Sequence, residues 1–295
     1  MRQLTMFADE QHNQIVNVAS VPQRSPFRYP GGKTWLVPRI RQWLTSLPVK
    51  PAAFIEPFAG GGSIGLAVAF ERLAEHVTLI ELDDQIAAVW QTILDGNGQW
   101  LAQQLLTFDL TAASVKALLS KNDLPLKEKA LRTIVKNRVN RGGILAPGAG
   151  LLKEGENGKG LLSRWYPETL SKRILEIAAI KERITFAEGD GLAFLEQHAQ
   201  DVRTVFFIDP PYTAGSKKAG SRLYTHSMLD HARLFAIAAR LRGDFLMTYD
   251  DDEQVRALAQ RHGFAMQAVA MKNTHHAKMS ELLIGRNLDW LRVCV

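Results

Sequence analysis

The chain divides into short, almost uninterrupted apolar runs separated by longer stretches whose apolar residues recur at helical spacing. The runs cover 53–56, 77–81, 184–187, 205–209, 245–249, 264–271 and 281–285, and they end in an acidic residue or a turn. Continuous apolar runs of this length mark strands buried on both faces. Alternating with helices, they predict an α/β fold built on a doubly wound, mostly parallel, Rossmann-like sheet. Only a short loop separates the last two runs, too little chain for a crossover helix, so they predict an antiparallel pair at the sheet's end.

Between the second and third runs the pattern changes. Helical spacing covers 84–96, 100–106, 114–119, 126–138 and 167–183, while 141–160 is a glycine-rich loop. A parallel crossover needs only about a dozen residues. The excess predicts an inserted, mainly helical subdomain at 96–183, interrupting a body formed by 25–95 and 184–295, behind a flexible leader at 1–24. No repeat or low-complexity tract appears.

Charge gives the insert a character of its own. The whole chain of 295 residues stands at only +6. From Lys116 to Lys181, however, 14 Lys and Arg face 6 Asp and Glu, a balance of +8, and the remainder, with 22 basic and 24 acidic residues, stands at −2. Basicity confined to one segment fits contact with a polyanion, and equally a solvated helical face. Cys294 is the lone cysteine, which excludes a disulfide framework and any cysteine-rich zinc site. With no signal-peptide pattern and no apolar stretch of 18 residues, the expected protein is cytoplasmic and makes no use of a membrane.

Three strand ends carry candidate chemistry. The first runs into Phe54-Ile55-Glu56-Pro57-Phe58-Ala59-Gly60-Gly61-Gly62-Ser63, a strand, a glycine turn and a helix start. Glycines there let a ligand approach the backbone, and a helix amino terminus offers amide donors. A glycine turn by itself also serves merely tight turns. The second strand ends in Glu81, about 20 residues on, where doubly wound folds place a carboxylate on a ribose. The fourth ends in Asp209-Pro210-Pro211-Tyr212. Two prolines remove two amide donors and leave a rim of acceptors, the Asp209 carboxylate and the Pro210 carbonyl, beside an aromatic ring. Such a rim suits a planar group that bears an NH2.

Other candidates read as structural. Adjacent His275 and His276 point apart and suit a loop contact better than a metal. Asp250, Asp251, Asp252 and Glu253 suit the cap of the next helix.

These motifs together resemble the DNA adenine methylases, Dam-like amino methyltransferases that use S-adenosylmethionine. The resemblance runs from Phe27 to about Arg286 and includes Arg28-Tyr29-Pro30-Gly31-Gly32-Lys33, the glycine turn and Asp-Pro-Pro-Tyr, in the order of the family's alpha group. It implies that Tyr29, Gly32, Lys33, Glu56, Pro57, Phe58, Gly60, Gly62, Glu81, Asp190 and Asp209 hold S-adenosylmethionine, with S-adenosylhomocysteine as product. Asp209, Pro210, Pro211 and Tyr212 would hold the target adenine, flipped from double-stranded DNA, for direct methyl transfer without a metal. Lys136, Asn137, Arg138, Asn140, Arg141 and Arg164 in the insert, with Lys217, Lys218 and Arg222 after the catalytic strand, would contact DNA. A monomer or weak dimer is expected, alone or with a restriction or defence partner. A catalytically silent DNA-binding subunit of the same fold, and an RNA adenine or cytosine amino methyltransferase, stay open as alternatives.

Overall fold

The computed structural model describes residues 20–28, 32–155, 158–211, 229–272 and 278–292. Tyr29, Tyr212, Lys217, Lys218, Arg222, His275, His276 and Cys294 lie outside the described residues.

Seven strands form one sheet: β1 (Ala53–Glu56), β2 (His76–Glu81), β3 (Ile184–Glu188), β4 (Thr204–Ile208), β5 (Phe245–Asp250), β6 (Ala265–Lys272) and β7 (Lys278–Gly285), in the order β3-β2-β1-β4-β5-β7-β6. The first five pair in parallel, and β7 runs antiparallel between β5 and β6. The expected antiparallel pair is therefore present, and its second member, not its first, joins the parallel strands.

Strand alternation explains how such apolar runs are buried. Phe54 on β1, Leu79 on β2, Phe207 on β4 and Leu283 on β7 point into one hydrophobic cluster. Their neighbours Ile55, Ile80, Phe206, Ile208, Leu282 and Ile284 point into another on the opposite face. The first cluster is closed by α1 (Val37–Ser46), α2 (Ser63–Glu71), α3 (Asp84–Thr92), α4 (Gly98–Thr107), α5 (Ala112–Leu119), α6 (Leu126–Val139) and α7 (Pro167–Ala179). The second is closed by α8 (Gly191–Gln197), α9 (His231–Arg240) and α10 (Glu253–Arg261). Leu101, Ile134 and Ile174 of the insert belong to the same cluster as Phe54 and Leu79, so the insert shares the core of the sheet's first face.

Local sequence sets the helix ends. Asp83, Asp190, Asp230 and Asp252 each cap a helix by accepting a backbone amide from its first turn. The helix expected over 84–96 breaks after Thr92 into a π turn, where Gly96 takes φ 91°. Residues 20–24 correct the expectation of a leader free up to 24: Val21 is buried, and the Arg24 guanidinium lies 4.0 Å from the Phe70 ring centre. Among the described residues no helix is long and apolar enough to cross a membrane.

The strand order also locates a crevice. From β1 the chain winds outward through β2 to β3, then returns to β4 on the other side of β1. At such a reversal the connections leave in opposite directions, and the carboxyl ends of β1 and β4 open into a groove.

Candidate active site

Glu56 ends β1, the turn at 57–62 follows, and α2 starts at Ser63. Gly60 and Gly62 have φ of 47° and 60°, in the left-handed region, and a Cβ on Gly62 would sit 2.9 Å from the Trp90 ring. Hydrogen bonds pin the turn from several sides. Glu56 Oε2 accepts the Gly65 amide at 2.7 Å, and Glu81 Oε2 accepts the Gly60 amide at 2.7 Å. The Trp90 indole donates to the Gly60 carbonyl at 3.0 Å, and the Ser25 hydroxyl donates to the Gly61 carbonyl. Glu81 Oε1 also accepts the amides of Leu82 and Asp83. The strand-end carboxylate thus shapes the turn.

Burial sets the electrostatics of both acids. Glu56, 4% exposed, is pushed well above the usual carboxylate range, first by burial and next by the charge of Asp209, against the opposing pull of the Gly65 amide and Lys33. Glu81 is raised by burial, against the amides of Asp83 and Gly60. Beyond β3, Asp190 caps α8 through Leu192, and a Cβ on Gly191 would stand 2.2 Å from the Pro57 carbonyl. That glycine lets the β3–α8 loop lie directly on the turn.

The carboxyl end of β4 carries Asp209. Its Oδ1 is 3.0 Å from Lys33 Nζ and accepts the Thr248 hydroxyl at 2.8 Å. Lys33 Nζ is also 3.0 Å from Glu281 Oε1 on β7. Lys33 and Glu281 are 5% and 4% exposed. Burial alone would lower the Lys33 ammonium; Asp209 and Glu281 outweigh it and hold it above the ordinary lysine value. The segment before α1, β4, β5 and β7 therefore meet at one ion-paired cluster. Next to it the Tyr249 hydroxyl lies 2.9 Å from His231 Nδ1, and burial, then the Asp209 charge, raises the phenol.

Glu56, Glu81 and Asp209 stand at or just past the ends of β1, β2 and β4, Pro57, Phe58, Gly60 and Gly62 lie in the turn after β1, Asp190 caps α8 after β3, Pro210 follows Asp209, and Lys33 reaches Asp209 from the segment before α1. Glu281 and Thr248 complete the ion-paired cluster, and Trp90 and Ser25 pin the glycine turn, without belonging to any motif. Glu281 gives one signal in sequence, a lone acid entering the run Leu282-Leu283-Ile284.

Of the residues expected at DNA, those in and just after the last turn of α6 make contacts within the protein, and Asn137, Arg138 and Asn140 are buried. Lys136 Nζ donates to Gln85 Oε1 and to the Leu145 carbonyl. Asn137 is wholly buried; its amide group donates to the carbonyls of Arg28 and Gly143 and accepts the Arg28 amide. Arg138, 6% exposed, donates to the Pro26 carbonyl, and Asn140 to that of Ile144. Gly143 has φ 76°, and a Cβ there would meet the Arg28 carbonyl at 2.2 Å. The Asn-Arg and glycine-loop pattern thus builds a seat for the strap at 25–28. Arg141 is exposed and Arg164 partly so.

Residues 29–137 match the family model of the D12 class N6 adenine-specific DNA methyltransferases. The matched segment includes the glycine turn and Glu81 and stops before Asp209. It supports a methyltransferase that takes its methyl group from S-adenosylmethionine. Among solved structures, the rRNA methyltransferase aviRa from Streptomyces viridochromogenes is 15% identical, covering 92% of this chain and 94% of that one, with a TM-score of 0.41. The precorrin-6y C5,15-methyltransferase from Geobacter metallireducens is 10% identical, covering 88% and 91%, with a TM-score of 0.37. No curated protein matches the chain.

Proposed function

We propose, for a chain that carries the D12 class domain over residues 29–137, that it is a site-specific DNA methyltransferase acting on the exocyclic N6 amine of adenine. The observation that carries the reading is the cluster at the switch point: an Asp-Pro-Pro rim whose aspartate is fixed by a buried lysine, beside a pinned glycine turn.

The turn fits a nucleoside cofactor. Its left-handed glycines leave the backbone bare, Glu81 stands at the end of β2, and the Asp209 carboxylate suits a sulfonium cation. When bound, S-adenosylmethionine supplies an electrophilic methyl group. Glu56, Pro57, Phe58, Gly60 and Gly62 would hold its methionine half and Glu81 and Asp190 its nucleoside half.

The remaining work falls to the rim. An exocyclic amine is a weak nucleophile because its lone pair is delocalised into the ring. By accepting its two hydrogens, Asp209 and the Pro210 carbonyl favour a pyramidal nitrogen whose lone pair is aimed along one line. Pro210 and Pro211 bring no amide donors that would compete for these acceptors. Lys33 and Thr248 hold the Asp209 carboxylate against rotation, and its charge stabilises the positive charge that develops on the nitrogen. The proton then leaves to solvent. The adenine must leave the duplex to reach the rim, at a cost of a few kcal/mol, recovered by these bonds and by stacking on Tyr212. Within the insert, Arg141 and Arg164 are the candidates for phosphate contact.

The test is incubation with labelled S-adenosylmethionine and, separately, mixed-sequence DNA and RNA, followed by sequencing that reads adenine methylation. N6-methyladenine in DNA at one sequence context is expected, lost in Asp209→Ala while cofactor affinity stays within a few-fold. Label in RNA alone, or full turnover by Asp209→Ala, would overturn the reading.

A further inference from the structure

One residue of the strap at 25–28 reaches the glycine turn directly. Pro26 has no N–H, so the Ser25 hydroxyl accepts the next amide along, that of Phe27, at 3.1 Å. That contact occupies a lone pair and leaves the single hydroxyl proton for the Gly61 carbonyl, at 2.5 Å. Ser25 is buried, so water does not compete for the bond.

The bond fixes one peptide unit. The Gly61 carbonyl and the Gly62 amide share a plane, and the Gly62 amide donates to the Ala59 carbonyl at 2.7 Å. Rotating that plane would take the carbonyl off Ser25 and the amide off Ala59. Gly62 resists such a rotation little, because glycine populates positive and negative φ about equally. Hydrogen bonds at the two ends of the unit therefore hold its orientation. Gly62 is also the residue from which α2 winds, and no side chain caps the helix there. The tilt of this peptide thus sets where the first amides of α2 point, the donors that a bound cofactor would meet.

The insert holds Ser25 in its turn. The Ser25 carbonyl accepts Arg173 Nη1 of α7 at 3.0 Å, and Asn137 of α6 brackets Arg28, donating to its carbonyl and accepting its amide. Between these anchors the Phe27 ring centre lies 6.0 Å from that of Trp90, whose indole holds the Gly60 carbonyl.

We propose that Ser25 is a positioning residue for the cofactor: it sets the glycine turn for S-adenosylmethionine, and Arg173 of the insert acts on the turn through it. This role rests on the reading of the turn as a cofactor site.

Calorimetric titration of the full chain with S-adenosylmethionine tests it. Ser25→Ala should weaken binding by about three- to tenfold, the worth of one net hydrogen bond. Ser25→Thr, which keeps the hydroxyl, should bind within about twofold of wild type. Arg173→Met should weaken binding by about two- to threefold, and by less when Ser25→Ala is already present, because a residue that acts through another has no effect of its own to add. In the cofactor-free protein, hydrogen exchange at the Gly62 amide reads the turn itself. It should quicken in Ser25→Ala, while the Gly65 amide, held by Glu56, exchanges as in wild type. Equal affinity of Ser25→Ala and wild type, unchanged exchange at Gly62, or a loss in Ser25→Thr as large as in Ser25→Ala would each overturn the positioning role. Strict additivity of Ser25→Ala and Arg173→Met would overturn the action of the insert. A wild-type protein that binds no S-adenosylmethionine would instead refute the cofactor reading, and the role of Ser25 with it.

Discussion

Lys33 is the residue on which most of the site depends. Its ammonium separates Asp209 from Glu281, both of which contact it at 3.0 Å. Removing it leaves the buried Glu281 and the partly buried Asp209 without their cation, and breaking a buried pair in this way typically costs about 3–5 kcal/mol. Lys33→Met should therefore lower stability by that order in urea unfolding and abolish methyl transfer. Glu56 poses the opposite case, a carboxyl whose value in the folded protein lies above that in the unfolded chain. Across the intervening pH range the folded state holds a proton that the unfolded state has lost. Stability therefore falls as pH rises from the ordinary carboxylate range through the raised value. Below that range the two states are equally protonated and the group contributes nothing. Glu56→Gln removes the dependence, so the stability of the cofactor-free variant relative to wild type should climb with pH over that window. Melting temperatures between pH 4 and 9 would show it; a constant difference would refute it.

At the scale of elements, loops must lie close enough for strand ends to share one groove. Gly191 permits the closest of these approaches, with the Pro57 carbonyl where its Cβ would be. Gly191→Ala should cost about 1–3 kcal/mol by overpacking and weaken cofactor binding, because the β3–α8 loop must lift from the turn. Calorimetric titration with S-adenosylmethionine would reveal an unchanged affinity if the approach is unimportant. The strands were legible in sequence because burial on both faces leaves a continuous apolar run, as in Val205-Phe206-Phe207-Ile208. Asp209 and the glycine turn were legible because their chemistry needs particular residues next to one another. Thr248 was not, and Glu281 showed only as a lone acid entering an apolar run, since Thr248 meets Asp209 and Glu281 meets Lys33 only through the folding of distant segments. The inward turn of Asn137 and Arg138 was hidden for the same reason: their partners lie 109 and 112 residues away.

For the whole molecule, the strap joins parts of the chain that are synthesised far apart. Ser25 touches the glycine turn, yet its carbonyl is held by Arg173, 148 residues further on, and Arg28 by Asn137. During translation the strap must wait, without these partners, until the insert has emerged. Contacts of such separation form late, because a long loop must close before they contribute. The amide of Arg28, donated to Asn137, should therefore gain protection from hydrogen exchange only in the slowest refolding phase, after β1 and β2. Early protection at Arg28 would contradict this. If it holds, the glycine turn is the last part of the sheet's head to become rigid, and a nascent chain acquires its cofactor affinity only once its insert has docked.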